Sequence, residues 1–139
     1  MIRYVKAQDK ASWHALDRDL PGAGFDEKVR NKQGYVYIQD RKIVGVLRYN
    51  LFWDMIPFCT HLYFDDGYRG RGYGRQLMER WEKDMKKKGC DMLLTSTQVD
   101  EAGQHFYRAL GYRDCGGFVM DIPGHEQPME MIMVKAIQG

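Results

Sequence analysis

The clearest alternation of apolar and polar positions in the chain begins at Gly74. Gly74, Leu77, Met78, Trp81 and Met85 fall at i, i+3, i+4, i+7 and i+11, which is one face of an amphipathic helix. Lys86, Lys87 and Lys88 fill its last turn, where positive charge suits the helix dipole, and Gly89 is placed to end it. A second helix is predicted over "DEAGQHFYRALG". There Phe106 and Leu110 share a face, Asp100 stands as N-cap and Gly111 sits just past the end. Towards the N-terminus, Ala11, Trp13, Ala15 and Leu16 in "AQDKASWHALDRDL" give a rougher helical stripe, which "PGAG" breaks. "FDEKVRNK" predicts one or two further helical turns before Gly34.

The remaining apolar runs have the period and composition of strands. "IRYV" is a short one. "YVYIQDRKIVGVLRYNLFW" predicts a hairpin of residues 35–39 and 42–53 joined at Asp40 and Arg41, because both runs are rich in β-branched and aromatic residues. "MIPFCTHLYF" and "CDMLLTST" follow as strands, and "GGFVMDI" and "MEMIMVKAI" close the chain. The order is therefore strand, helices, three strands, helix, strand, helix, two strands. That order predicts a mixed α/β fold around one sheet. No linker, repeat or low-complexity tract interrupts it, so residues 1–139 are expected to form a single domain.

Composition narrows the function classes. With 44% hydrophobic and 13% aromatic residues the chain can build a core, which excludes disorder, and a net charge of +2 is too small for a general polycation. Any basic site must be local. Cys59, Cys90 and Cys115 form no C-x-x-C pair, and the four histidines, His14, His61, His105 and His125, are scattered. Neither a disulfide framework nor a metal site is expected. "MIRYVKAQDK" has no apolar signal core and no run reaches transmembrane length, so the expectation is a cytoplasmic protein with no membrane partner.

One segment stands apart from ordinary strand-to-helix connections. In "FDDGYRGRGYGRQLMERW", four glycines and three arginines lie between the apolar strand and the first large apolar residues of the amphipathic helix. The first turn of a helix offers unpaired N–H groups and the positive end of its dipole, a natural seat for phosphate. Gly70, Gly72 and Gly74 clear the approach to the backbone, while Arg69, Arg71 and Arg75 add charge. A P-loop is ruled out because no lysine and hydroxyl pair follows Gly74, and the G-x-G-x-G spacing differs from the dinucleotide fingerprint. The pattern R-x-x-G-x-G fits from Arg69 through Gly72 to Gly74. "YRGRGYGR" also has the composition of an arginine-glycine RNA-binding segment. Such segments lie in disordered tracts, whereas this one joins a strand to a helix, so nucleic acid is not the expected partner.

On these residues the chain resembles the GNAT superfamily of N-acetyltransferases, most strongly over residues 57–112. "LYFDDGYRGRGYGRQLM" is similar to the family's acetyl-CoA loop with its flanking strand and helix, and "HFYRALGY" is similar to the later F-Y-x-x-x-G-F segment. The resemblance implies a mostly antiparallel central sheet flanked by helices and splayed between its fourth and fifth strands, here residues 57–64 and 91–97. Acetyl-CoA would lie in that cleft. Its pyrophosphate would sit on the amides of Arg69, Gly70, Arg71, Gly72, Tyr73, Gly74 and Arg75, and its pantetheine arm would pair with backbone near Leu62, Tyr63 and Phe64. No metal is implied.

The implied reaction moves acetyl directly from acetyl-CoA to a primary amine of a small molecule, peptide or protein within a ternary complex. A non-catalytic acyl-CoA-binding module is the alternative. Tyr107 matches the family's tyrosine and would protonate the leaving thiolate. The chain departs from the pattern at Asp100, where relatives often carry asparagine, and at Thr60, where relatives often carry a glutamate proposed as base. His61 is then the titratable group nearest the expected cleft, with chemistry suited to a base at neutral pH. Strand alternation predicts that Thr60 and His61 point to opposite faces. Asp54 and Cys115 are weaker candidates. Phe52 and Trp53 are expected either to line the amine pocket or to pack the hairpin. Dimerisation is common among relatives, and the sequence leaves it open.

Overall fold

The computed structural model describes residues 1–137. Seven strands and four helices appear in chain order: β1 Ile2–Tyr4, α1 Lys10–Leu16, α2 Gly22–Asn31, β2 Gly34–Gln39, β3 Lys42–Phe52, β4 Ile56–Phe64, α3 Tyr73–Lys87, β5 Met92–Gln98, α4 Gly103–Ala109, β6 Arg113–Phe118 and β7 Glu130–Ala136. The strands are ordered β1-β2-β3-β4-β5-β7-β6 in one mixed sheet, with β4 and β5 parallel. The pairs β1–β2, β2–β3, β5–β7 and β6–β7 are antiparallel. The chain divides into two compact units. One comprises Met1–Asn50 with Cys59–Asp84, and the other Leu51–Phe58 with the described residues from Met85 on.

In the first unit, alternation along β2 feeds both faces of the sheet. Val36 joins Val5, Trp13, Leu20, Phe25 and Val46 in a cluster that buries the inner sides of α1 and α2. Tyr35 and Tyr37 face α3 instead: Tyr35 donates its hydroxyl to Asp84 at 2.8 Å and Tyr37 to Gln76 at 2.7 Å. Leu77, Met78 and Trp81 of α3 are fully buried, as their helical spacing predicts. Burial on both faces explains why "YVYI" reads as a continuous apolar run rather than an alternating one.

The N-terminal helices differ from the expected stripe. Ala11 and Ala15 are exposed, and the buried positions are Trp13, Asp17 and Leu20. The "PGAG" segment does not break a helix but starts one: Pro21 is the N-cap of α2, and Gly22 and Gly24 lie inside it. Proline lacks only an N–H that a helix start leaves unpaired, so it initiates as readily as it terminates.

Both β-hairpin turns use positive φ at non-glycine residues. Asp40 and Arg41 join β2 to β3 with φ of 52° and 64°. Trp53 and Asp54 join β3 to β4 with φ of 54° and 62°, closed by Asp54 N to Leu51 O at 3.2 Å and Met55 N to Phe52 O at 3.1 Å. Such turns match the twist of the flanking strands.

In the second unit, β7 runs between β5 and β6, and Leu93 and Met133 are fully buried. β6 begins at Arg113, three residues before the predicted start, and Val119 to Ile122 lie outside it. The α4 helix starts at Gly103 with Ala102 as N-cap, so Asp100 does not cap it. Gln104 holds the preceding turn instead, donating to Val99 O at 2.8 Å, while Gln98 N donates to Glu101 Oε1 at 3.1 Å.

Candidate active site

The predicted anion loop is anchored before it reaches α3. Phe64, at the end of β4, is buried against the backbone of Gly45, where any Cβ would overlap its ring, and stacks edge-on with Tyr37 at 5.5 Å. Asp65 N continues the ladder to Val44 O at 2.9 Å, and its carboxylate accepts from Asp66 N, opening a 3₁₀ turn over Asp66–Tyr68. Tyr68 then donates its hydroxyl to Asp40 at 2.9 Å. The chain enters the glycines with its direction fixed from both sides.

Gly70 and Gly72 have φ of 74° and 84°. A Cβ at either would meet nothing within 4 Å, so these glycines are required by backbone conformation rather than by crowding. Tyr73 opens α3 and stacks on Tyr37 at 4.6 Å, and Gln76 N closes on Gly72 O at 3.1 Å. The remaining leading N–H groups of the helix are the ones that a helix start leaves unpaired.

The arginines are less free than their spacing suggests. Arg69 folds back: its Nε donates to Phe64 O at 2.8 Å, its Nη1 pairs with Asp66 at 3.0 Å, and its guanidinium lies 4.8 Å from the Tyr63 ring centroid. It therefore ties the loop to the strand end. Arg71 lies over Tyr68 at 5.2 Å, and Arg75 approaches Glu79 at 3.9 Å with both side chains about half exposed. Arg71 and Arg75 keep donors that can turn to an anion in solvent.

Midway along β4 the structure assembles a buried polar group. Asp17, whose side chain is 0% exposed, accepts from Trp13 Nε1 at 3.0 Å and from Arg48 Nε at 2.6 Å. Arg48 also donates to Thr60 Oγ1 at 3.1 Å. His61 Nε2 lies 3.0 Å from Leu16 O and 3.8 Å from Asp17 Oδ1. Thr60 and His61, neighbours in sequence, thus both connect to the Arg48–Asp17 pair, Thr60 through Arg48 and His61 through Asp17. Burial pushes the Asp17 carboxyl up, but the bond from Arg48, the charge that His61 carries once protonated, the charge of Arg48 and the bond from Trp13 more than offset it, leaving it below the usual carboxylate range. Asp17 and Arg48 were missed as site residues. The signal was present: an arginine inside the apolar run "VGVLRYN" demands a buried partner.

Within the same unit, a cavity of about 530 Å³ is lined by Arg3, Asp9, Ser12, Leu16, Ile43 and Asp65 among others. Leu16 joins it to the His61 cluster, since its carbonyl faces the imidazole.

In the second unit, Tyr107 lies on α4 and is 8% exposed, with Phe106 and Tyr112 against its ring at 5.3 and 5.8 Å. Gly103 lets this helix approach β5, because a Cβ there would stand 3.0 Å from Thr97 Oγ1. Phe52 ends β3 and packs edge-on against Phe58 of β4 at 6.2 Å, within the hairpin, whereas Trp53 stands in the turn at 73% exposure. A nearby cavity of about 210 Å³ is lined by Met55, Ile56 and Pro57 with residues 88–92, and not by these aromatics. Cys115 is exposed as a residue, yet partial desolvation of its thiol, with Asp114 beside it, outweighs Arg113 and raises its pKa, which disfavours a nucleophilic thiolate. Among the described residues, no group of three or more His, Cys, Asp or Glu could hold a metal ion. No helix among them is long and apolar enough to cross a membrane.

Solved structures share this architecture at low sequence identity. Ard1 from Thermoplasma volcanium superposes with a TM-score of 0.86 at 14% identity, covering 100% of this chain and 98% of that one. Arabidopsis thaliana Naa50, solved with the bisubstrate analogue CoA-Ac-MVNAL, gives 0.84 at 14% identity and 97% coverage of both chains. The ribosomal-protein-S18-alanine N-acetyltransferase of Escherichia coli gives 0.78 at 17% identity, covering 100% and 94%. No curated protein matches the sequence. The family model for the acetyltransferase (GNAT) family matches residues 3–112, the stretch that holds β4, the glycine loop, α3 and α4, and the chain belongs to that family.

Proposed function

We propose that the protein is an acetyl-CoA-dependent N-acetyltransferase acting on a primary amine by direct transfer in a ternary complex. The observation that carries this reading is the left-handed Gly70 and Gly72 loop, which presents the amide-rich start of α3 beside the end of β4 in a chain of this family. The cofactor pyrophosphate takes the amides between Arg69 and Arg75, with Arg71 and Arg75 as flanking charges. Backbone at Leu62, Tyr63 and Phe64 takes the pantetheine arm. Asp100 lies in the turn before α4, so its role towards the cofactor is confined to that turn.

The chemistry asks three things of the chain. An alkylammonium with a pKa near ~10 costs roughly 4 kcal/mol to deprotonate at neutral pH, so a base is needed. His61 is assigned to it. Holding both substrates together supplies proximity. As the amine nitrogen bonds to the thioester carbon, the C–S bond breaks and the thiolate leaves with the electron pair. Tyr107 O–H protonates it and is restored from solvent. The Naa50 complex, a CoA–peptide analogue bound to a relative of the same fold, supports a peptide or protein amine as the acceptor class. The three free cysteines, Cys59, Cys90 and Cys115, support a reducing, cytoplasmic setting.

Thermal unfolding with and without acetyl-CoA tests the reading, with AMP and a random RNA oligomer as controls. At ~100 times its Kd the cofactor stabilises by about 2.7 kcal/mol, a shift of several degrees. Thiol release with a panel of amines and peptides then separates an enzyme from an acyl-CoA-binding module. Stabilisation without release from any amine favours the module, and a response to RNA alone removes the family's chemistry from this chain.

A further inference from the structure

The end of α1 carries an inference about which atom of His61 does the work, and it rests on the proposed acetyl transfer only for the identity of the reaction. The imidazole Nε2 has two oxygen neighbours, Leu16 O at 3.0 Å and Asp17 Oδ1 at 3.8 Å. Both are acceptors only. A neutral imidazole carries one N–H and one lone pair. A lone pair at Nε2 would face the lone pairs of both oxygens, whereas an N–H there bonds to Leu16 and is attracted by Asp17. The ring proton belongs on Nε2, and the basic electron pair on Nδ1.

The oxygens are held in place by groups on several elements. Asp17 N donates to Trp13 O at 2.9 Å, and its fully buried carboxylate is gripped by Trp13 Nε1 and by Arg48 of β3. The same guanidinium reaches Thr60, the residue before His61 on β4. Tyr63 stacks beside the imidazole at 6.1 Å, and Lys28 of α2, which donates to Tyr49 O, adds positive charge on the Arg48 side. His61 itself remains 22% exposed at the side chain, so part of the ring faces solvent.

We propose that the α1 terminus is a tautomer clamp, in which the Leu16 carbonyl and Asp17 fix the His61 proton on Nε2 so that Nδ1 receives the acceptor's ammonium proton. Asp17 is a positioning residue here. When Nδ1 takes the proton, both ring nitrogens carry hydrogen and the Asp17 carboxylate faces the new positive charge. Arg48 already balances part of that carboxylate's charge, so the imidazolium can return its proton to solvent. Of the two protons that the ammonium sheds, one leaves through Nδ1 before the N–C bond forms and the other as the amide forms. The thiolate takes its own proton from Tyr107.

Long-range proton–nitrogen correlation on ¹⁵N-labelled protein reads the tautomer directly. The expected spectrum of the neutral ring shows a protonated Nε2 and an unprotonated Nδ1; the reverse overturns the clamp, whatever the activity. The second arm is Asp17→Asn beside Asp17→Glu. Loss of the clamp should lower kcat by roughly 10-fold or more with the KM for acetyl-CoA little changed, and glutamate should recover part of the loss. An Asp17→Asn protein that folds and keeps full kcat overturns the positioning role. If that variant unfolds, the spectrum of the unmodified protein still decides the tautomer. Absence of transfer to every amine, with the Nε2–H spectrum intact, defeats the proposed reaction and leaves the clamp standing.

Discussion

Replacing the Tyr107 hydroxyl by hydrogen tests its proposed role as proton donor to the thiolate. Tyr107→Phe keeps the ring between Phe106 and Tyr112, so acetyl-CoA affinity should hold while kcat falls by roughly 10²-fold. Steady-state kinetics checks the split, and unchanged kcat removes Tyr107 from the reaction. Tyr107 is a candidate only through its match to a family segment, because a tyrosine on a helix is ordinarily core, and this one is buried beside Phe106 and Tyr112. His61 was legible as a titratable group on a strand, but its partners were not. Leu16 O and Asp17 come from a segment 45 residues away for the closest bond, and no local pattern encodes that approach. Arg48 was the missed pointer. A guanidinium with only 16% side-chain exposure requires a nearby carboxylate.

At the level of elements, the periodic segments were the readable ones. The buried face of α3 and both strands joined at Asp40 and Arg41 follow from spacing and turn chemistry. Boundaries were harder where one residue serves two purposes. Pro21 and its glycines read as a helix break and are a helix start, and Asp100 reads as a cap although the turn uses Glu101 and Gln104. The strand–glycine loop–helix connection was legible, yet the inward fold of Arg69 was not, since it depends on where Tyr63 and Phe64 O lie. The loop also makes a prediction. Gly72→Ala forces an L-residue to hold φ near 84° in open space, a strain of about 1–2 kcal/mol with no steric clash to relieve. Stability should fall by about that amount, and acetyl-CoA should bind more weakly as the loop relaxes to another conformation. Calorimetric titration measures the second effect, and full affinity in a folded variant would detach the φ value from binding.

Across the whole molecule, two buried carboxylates set the response to acid. Burial pushes the Asp9 carboxyl up, but Arg3 and the Lys6 N–H more than offset it and leave it low, as Arg48 and Trp13 do for Asp17. A carboxyl whose folded pKa lies below the unfolded value of about 3.9 binds fewer protons when folded, so its stabilisation is complete above that value. It is lost as pH falls through the lower folded value. The unfolding midpoint in denaturant should therefore hold level with respect to these groups from neutral pH to about pH 5 and drop below about pH 4. Asp9→Asn should be less stable at neutral pH and show a shallower acid decline; an unchanged slope would release Asp9 from that role. The class of fold was visible from the order of elements alone. The division into two compact units was not, because it cuts through β3, β4 and α3, each of which reads as one uninterrupted run.

That division has an optical consequence. Trp13 and Trp81 are both 0% exposed and belong to the first unit, whereas Trp53, 73% exposed, belongs to the second. Indole emission moves to the red in water, and collisional quenchers reach only what solvent reaches. The blue, quencher-resistant part of the native fluorescence therefore originates in the first unit, and the red, quenchable part in the second. The chain carries a separate intrinsic label on each unit without the addition of a dye.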